Sequence, residues 1–288
     1  MSSPVDPTSV PPAKPRKPRY PATVKHVQTL TPRMVRVTFT SPELAYFGWN
    51  GPAAHIKVIF ADPAVTAAAS TAAPGGAPAA HGTPASGGAS TQAAAEPRPT
   101  MRTYTPRRFD RDACELDVDF VLHGEGPAST WASQATVGQR LVISGPGRNY
   151  VVDPTAEWFV LVGDDSAIPA IATILEHLPP TARATAFVEV VDASDEHPFY
   201  SGSNATIHWL RRGEDVTKAG ALLEAAVRSF TFPPGAGRVY VACEADGVRR
   251  IRRHLLSERG MTRDHIVTRG YWKLGETDHP DGDYAQDV

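Results

Sequence analysis

The rhythm of apolar residues changes once along this chain, near residue 158, and that change limits the fold more than any other feature. Upstream, VKHVQTL, MVRVTFT and AHIKVIF are short strand-like stretches, and the pattern resumes in MRTYTPRRF, ELDVDFVLH and QRLVISGPG. Alternation with period two places Val35, Val37 and Phe39 on one face of a strand. Many short strands with Gly/Pro turns predict an antiparallel β-barrel. From Trp158 onward, the strands WFVLVG, ATAFVEVV, TIHWLRR and RVYVACEA are interspersed with the helical stretches AIPAIATILEHL, TKAGALLEAAVRSF and DGVRRIRRHLLSERG. The first helix carries Pro169 in its first turn. The second groups Leu222, Leu223, Ala226 and Val227 on one side. The third is expected to be capped by Asp246 and stopped by Gly260. Strand–helix alternation of this kind means a parallel α/β sheet. The expected domains are therefore 20–153 and 154–288, with the boundary near Asp153–Glu157.

Two segments fall outside this pattern. Residues 61–100 are almost entirely Ala, Gly, Pro, Ser and Thr, with Val65 the only large aliphatic. Such a stretch cannot bury enough apolar surface to offset its ordering entropy, so it reads as a flexible insertion between two strands. Residues 1–19 are proline-rich and read as an extended arm. The arm has no apolar core of the signal-peptide kind, and no stretch of the chain is long and apolar enough to cross a bilayer. The net charge of −2 over 288 residues gives no global field toward nucleic acid or membrane. Lys14, Arg16, Lys17 and Arg19 read as a solubilising cluster. Arg249, Arg250, Arg252 and Arg253 read as the solvated face of a helix whose buried stripe is Val248, Ile251 and Leu255. Cys114 and Cys243 cannot form a disulfide framework. They fit a reducing compartment, and the cytoplasm is the expected location.

Two short motifs carry chemistry. In RTYTP, strand geometry points Arg102 and Tyr104 the same way, so a forked phosphate donor lies beside a flat ring. In HGEGPAST, Gly124, Gly126 and Ser129 follow a strand and open a helix, where free N–H groups suit a pyrophosphate and glycine allows close approach. Each has a plain alternative: an exposed strand, and a tight turn with Ser129 as the N-cap. The histidines show no metal-ligand spacing, so no protein metal site is expected.

Together these motifs resemble the ferredoxin–NADP reductase superfamily. HIKVIF, RTYTPRR, DVDFVLHGEGPASTWA, GDDSAIPAI, WLRR, EADGVRRIRRHL and GYWKLG, spanning residues 55 to 275, are more narrowly similar to the siderophore-interacting proteins. The resemblance implies a two-domain ferredoxin-reductase-like fold, with an FAD-binding barrel followed by an NAD(P)-binding-like α/β domain. It implies a cytoplasmic, FAD-dependent reductase that frees iron from a ferric siderophore as Fe(II). Arg102 would contact the pyrophosphate of FAD, Tyr104 its ring, and Thr105 its N5 edge. His55 and Lys57 lie on the neighbouring strand. His123, Gly126, Ala128 and Ser129 would complete the phosphate and adenosine end, and Asp165 would lie near the flavin. His55 also has a plain reading as a satisfied strand histidine.

Lys57, Lys273 and Trp272 would recognise the ferric siderophore. A third position that is basic in relatives is Thr130 here, which suggests a less acidic substrate such as a hydroxamate. No catalytic acid, base or nucleophile is required. NAD(P)H and reduced ferredoxin both stand open as donors. Asp164 and Asp165 disfavour a pyrophosphate at the second domain's first turn, whereas Arg211 and Arg212 could hold a ribose phosphate. Two alternatives remain: a general NAD(P)H:acceptor flavin reductase, and a siderophore-binding carrier without flavin.

Overall fold

The computed structural model describes residues 17–60, 99–124, 126–200, 205–277, 279 and 282–283. Most of the expected arm and insertion lie outside the described residues. Arg19 and Thr100, assigned to those segments from the sequence, are strand residues.

The first unit is a seven-stranded antiparallel sheet in the order β4-β3-β7-β1-β2-β6-β5. Its strands are β1 (Arg19–Thr31), β2 (Met34–Thr40), β3 (Ile56–Phe60), β4 (Thr100–Tyr104), β5 (Pro106–Asp110), β6 (Glu115–Val121) and β7 (Arg140–Ser144). The short helix α1 (Pro127–Ser133) lies between β6 and β7. β4 and β5, the two edge strands, are consecutive in the chain and are joined at buried Thr105. A single bent run thus links the two edges and curls the sheet into a barrel.

Alternation sorts β6 cleanly. Leu116, Val118 and Phe120 enter the core with Val37 and Phe39. Asp117 and Asp119 are buried on the other face and are paired. Asp119 accepts from Arg36 Nε at 2.6 Å and Nη2 at 2.8 Å, and Asp117 accepts from Thr38 Oγ1 at 2.7 Å.

The second unit contains β8 (Trp158–Asp164), α2 (Ile168–Glu176), β9 (Arg183–Val190), β10 (Ala205–Arg211), α3 (Ala221–Ser229), β11 (Gly237–Glu244), α4 (Ala245–Arg253), β12 (Ile266–Trp272) and β13 (Gly282–Asp283). The sheet order is β10-β9-β8-β11-β12-β13, parallel except for β13. Every residue of β8 is buried, as a central parallel strand requires. The order reverses between β8 and β11, so a crevice opens outside their carboxyl ends. Gly163 is required there, because a Cβ would lie 2.5 Å from Ala167 Cβ and 2.8 Å from Ala242 O.

Several local expectations are corrected. α4 is capped by Glu244, whose carboxylate accepts from Asp246 N at 2.8 Å and Gly247 N at 2.9 Å, not by Asp246. Leu222 is exposed, while Leu223 and Val227 are buried. Arg252 is 2% exposed and does not belong to the solvated face of α4. Val248, Ile251 and Leu255 do form the buried stripe.

The two units touch through Met34, which enters the apolar cluster of the second unit, and through polar contacts. Ala53 N–H donates to Thr173 Oγ1 at 2.9 Å, Arg107 bonds Glu176 at 2.7 and 3.1 Å, and Arg33 bonds Asp195 at 2.9 Å.

Candidate functional site

A cleft of about 450 Å³ lies between the barrel and the crevice of the parallel sheet. Nine of the ten residues expected at the cofactor line it: His55, Arg102, Tyr104, Thr105, His123, Gly126, Ala128, Ser129 and Asp165. Trp272 lines it as well, but Lys57 and Lys273 do not. Lys57 Nζ instead donates to Thr103 Oγ1 across the β3–β4 ladder, and Lys273 Nζ pairs with Glu276. The expected roles of these two lysines are therefore at a remove from the cleft.

On the barrel side, β4 carries Arg102 and Tyr104 toward the cleft. The Tyr104 ring packs on Phe120 with centroids 4.4 Å apart, which fixes its plane. Burial raises the Tyr104 hydroxyl pKa, so the phenol stays protonated. Gly126 is the N-cap of α1, and Ser129 lies three residues further on, where its Oγ accepts from His123 N–H at 3.0 Å. The hydroxyl thus ties the β6–α1 turn together rather than capping the helix.

His55 stands just before β3. Its Nδ1 lies 3.1 Å from the Arg148 carbonyl, to which it donates, leaving Nε2 as the acceptor facing Lys17 Nζ at 3.5 Å. Burial and the Lys17 charge hold the imidazole down to about 4, so it is neutral. Gly147 makes room for the ring: a Cβ there would sit 2.0 Å from Nε2.

The α/β side differs in charge. Asp164 is buried at the end of β8, and its Oδ2 accepts from Trp272 Nε1 at 2.7 Å. Its neighbour Asp165 is pushed up to about 7 by burial and by the Asp164 charge. Arg211 and Arg212 part company: Arg211 bonds Glu196 outside the cleft, while Arg212 lines it and faces Glu189 at 3.5 Å. Sequence reasoning missed Arg148, Tyr150, Tyr240 and Arg269 in the lining. The glycine of GPGRNY was a signal for the first of these, since it abuts His55. The two tyrosines have no such signal, because they read as ordinary core: Tyr150 packs on Tyr240, whose hydroxyl lies 2.8 Å from that of Tyr271.

The barrel side fits FAD on its own geometry. A Cβ at Gly126 would meet nothing within 4 Å, so packing within the protein does not require this glycine and the space it leaves is available to a ligand, whereas Gly124 is called for by its left-handed backbone at φ +54°. Arg102 lines the same cleft with a guanidinium suited to a phosphate, and the cleft volume falls within the usual range for cofactor sites.

Comparison with known proteins agrees. Residues 23–150 match the siderophore-interacting FAD-binding domain, and residues 156–275 match the siderophore-interacting protein domain. The chain belongs to the siderophore-interacting protein family.

The ferric vibriobactin reductase ViuB of Vibrio cholerae is 38% identical over 186 residues, 64% of this chain and 68% of that one. A siderophore utilization protein from T. fusca has a crystal structure that superposes with a TM-score of 0.76 at 34% identity, covering 92% of this chain and 96% of that one. The ferredoxin NADP+ reductase of Neisseria gonorrhoeae shares the fold alone, with a TM-score of 0.58 at 12% identity over 88% of this chain and 99% of that one. The two-domain ferredoxin-reductase-like architecture read from the sequence is therefore the observed one. The chain is an FAD-dependent oxidoreductase.

Proposed function

We propose that this protein reduces a ferric siderophore in the cytoplasm and releases iron as Fe(II). The observation that carries the reading is one cleft with an FAD-compatible barrel wall and a lining that includes Arg148, Arg212 and Arg269. Relatives named as ferric vibriobactin reductase and, at 28% identity over 179 residues, NADPH-dependent ferric-chelate reductase of Escherichia coli support it.

Bound FAD supplies two-electron acceptance and single-electron donation. The chain binds and orients. Arg102 and the Gly126 turn would hold the phosphates, and Tyr104, neutral His55 and Thr105 would serve the ring end. Arg148 and Arg269 draw an anionic chelate inward beside Trp272, with Lys57 and Lys273 acting further out. Iron arrives wrapped in its chelator. Among the described residues, no cluster of His, Cys, Asp or Glu could hold a metal, and no helix is long and apolar enough to cross a membrane. Thr130, in place of a third base, favours a hydroxamate over a highly charged catecholate.

The electron donor is NAD(P)H or a reduced ferredoxin. A second reading, a general NAD(P)H:acceptor reductase, is favoured by the strand order alone, since its crevice is where dinucleotides bind in such sheets. Steady-state turnover with ferric hydroxamates, ferric catecholates, cytochrome c and quinones separates the two. Preference for ferric siderophores supports the proposal, and equal or better turnover of cytochrome c or quinone overturns it.

A further inference from the structure

The α/β side of the cleft carries more buried negative charge than electron transfer to iron requires. Asp164 and Glu189 stand opposite each other across β8 and β9 and are 4% and 1% exposed. Asp165, the next residue, lines the cleft. Asp195 acts on Asp165 from the turn after β9, and His123 stands within reach of Asp164 from the end of β6. Cys243 and Glu244 close the cluster from β11, and Glu244 is occupied in capping α4. Arg212 is the cation that acts on all three carboxyls.

Donors are unevenly shared among the three. Asp164 accepts from Ser166 N–H at 3.1 Å, from the Ser166 hydroxyl and from the Trp272 indole, a set that suits a carboxylate. Glu189 Oε1 accepts from Gly220 N–H at 2.9 Å and faces Arg212, but its Oε2 is buried with no partner. Asp165 is supported by the Ser166 backbone and by Arg212. One guanidinium and the partial positive charge at the start of α2 fall short of balancing three carboxylates, two of them out of water. The cluster is therefore poised to take up a proton when further negative charge arrives, and Asp165, which lines the cleft while Asp164 and Glu189 are 4% and 1% exposed, is the member open to solvent.

We propose that Asp165 is the cleft-facing proton site of an Asp164–Asp165–Glu189 cluster, and that it takes up one proton from solvent when negative charge enters the cleft on reduction of the bound FAD. The balance is simple: reduction of the flavin would consume two electrons from the external donor and the flavin's own proton, and beyond these one further H+ would come from water, one carboxylate would become a carboxylic acid, and no protein group would be oxidised. Asp165 is thus a positioning residue for charge, and the inference rests on FAD binding, not on the identity of the iron chelate. Its raised proton affinity agrees with the geometry.

The test is the midpoint potential of the FAD-loaded protein, without siderophore, between pH 6 and 9. One extra proton per two electrons is a tenfold change in equilibrium constant per pH unit, or about 30 mV. The wild type should show that extra slope above about pH 7. Asp165→Asn should lose it, and Asp165→Glu should restore it. Superimposable slopes for wild type and Asp165→Asn overturn the proposal. If Asp165→Asn does not retain FAD, carboxyl-labelled apo-protein decides: an aspartate titrating near neutrality supports the proposal, and titration of all aspartates below about pH 5 overturns it.

Discussion

The two walls of the cleft are built on opposite electrostatic plans. The barrel wall offers a guanidinium, Gly126 with empty space over it, and a histidine kept neutral. The α/β wall offers buried carboxyls at the point where the strand order would otherwise invite a pyrophosphate. Similar loop–helix devices follow a strand in both places, at β6–α1 and at β8–α2. The side chains decide how each treats charge: the first offers donors to a phosphate, and the second sets buried carboxyls among its arginines.

The glycines of the two walls separate this difference most sharply. Gly163→Ala should cost on the order of 1–3 kcal/mol, because the new methyl collides with backbone. A fall of several degrees in melting temperature is expected. Gly126→Ala should leave the melting temperature of the apo-protein unchanged, since its Cβ meets nothing, yet weaken FAD binding. Equal thermal losses in the two variants would mean that the β6–α1 turn is structural and that the comparison fails. Next in size, Arg102→Ala should raise the FAD dissociation constant about tenfold or more, the usual effect of losing a hydrogen bond to a charged group. Fluorescence of released FAD measures it. Arg269→Ala, on the other wall, should leave that constant unchanged.

Acid should act on the barrel wall through His55. Its folded value of about 4 lies below its ordinary value near 6.5. The folded state therefore resists a proton that the unfolded state accepts, and stability should fall as pH drops from about 6.5 toward 4. His55→Gln should flatten that stretch of the pH–stability curve, and an unchanged curve would show that the ring is not held neutral. The smallest effect is expected at the lysines outside the cleft. Lys57→Ala and Lys273→Ala should keep FAD and raise KM for ferric siderophore by no more than about fivefold, less at high salt. Loss of flavin from either would move that lysine into the cofactor site.

Much of this was legible in the residues. The change of period near Trp158 separates the two sheets, and alternation placed Val37, Phe39, Val248 and Ile251 in cores where they are found. Strand parity placed Arg102 and Tyr104 on the same side, and both line the cleft. What stayed hidden depends on pairing across the chain. Nothing near Lys57 in sequence announces Thr103, its neighbour across a ladder that brackets the 61–98 segment. Glu244 displaces Asp246 as cap because it stands one residue before the helix at the strand end, a position that local propensity does not distinguish. Arg252 breaks the solvated-face rule because the far side of α4 is covered within the fold. Arg148 and Arg269 reach the cleft from a loop after β7 and from β12, more than 100 residues apart, so no spacing rule connects them.

The most direct measurement is a single anaerobic turnover of the photoreduced, FAD-loaded protein mixed with a ferric hydroxamate in the presence of an Fe(II) trap. Flavin absorbance should return in step with Fe(II) capture, with two Fe(II) formed for each FAD, and the rate should fall in Arg148→Ala and Arg269→Ala. Flavin that stays reduced in the presence of ferric hydroxamates and ferric catecholates alike, while cytochrome c or quinone reoxidises it at once, would contradict the ferric-siderophore assignment.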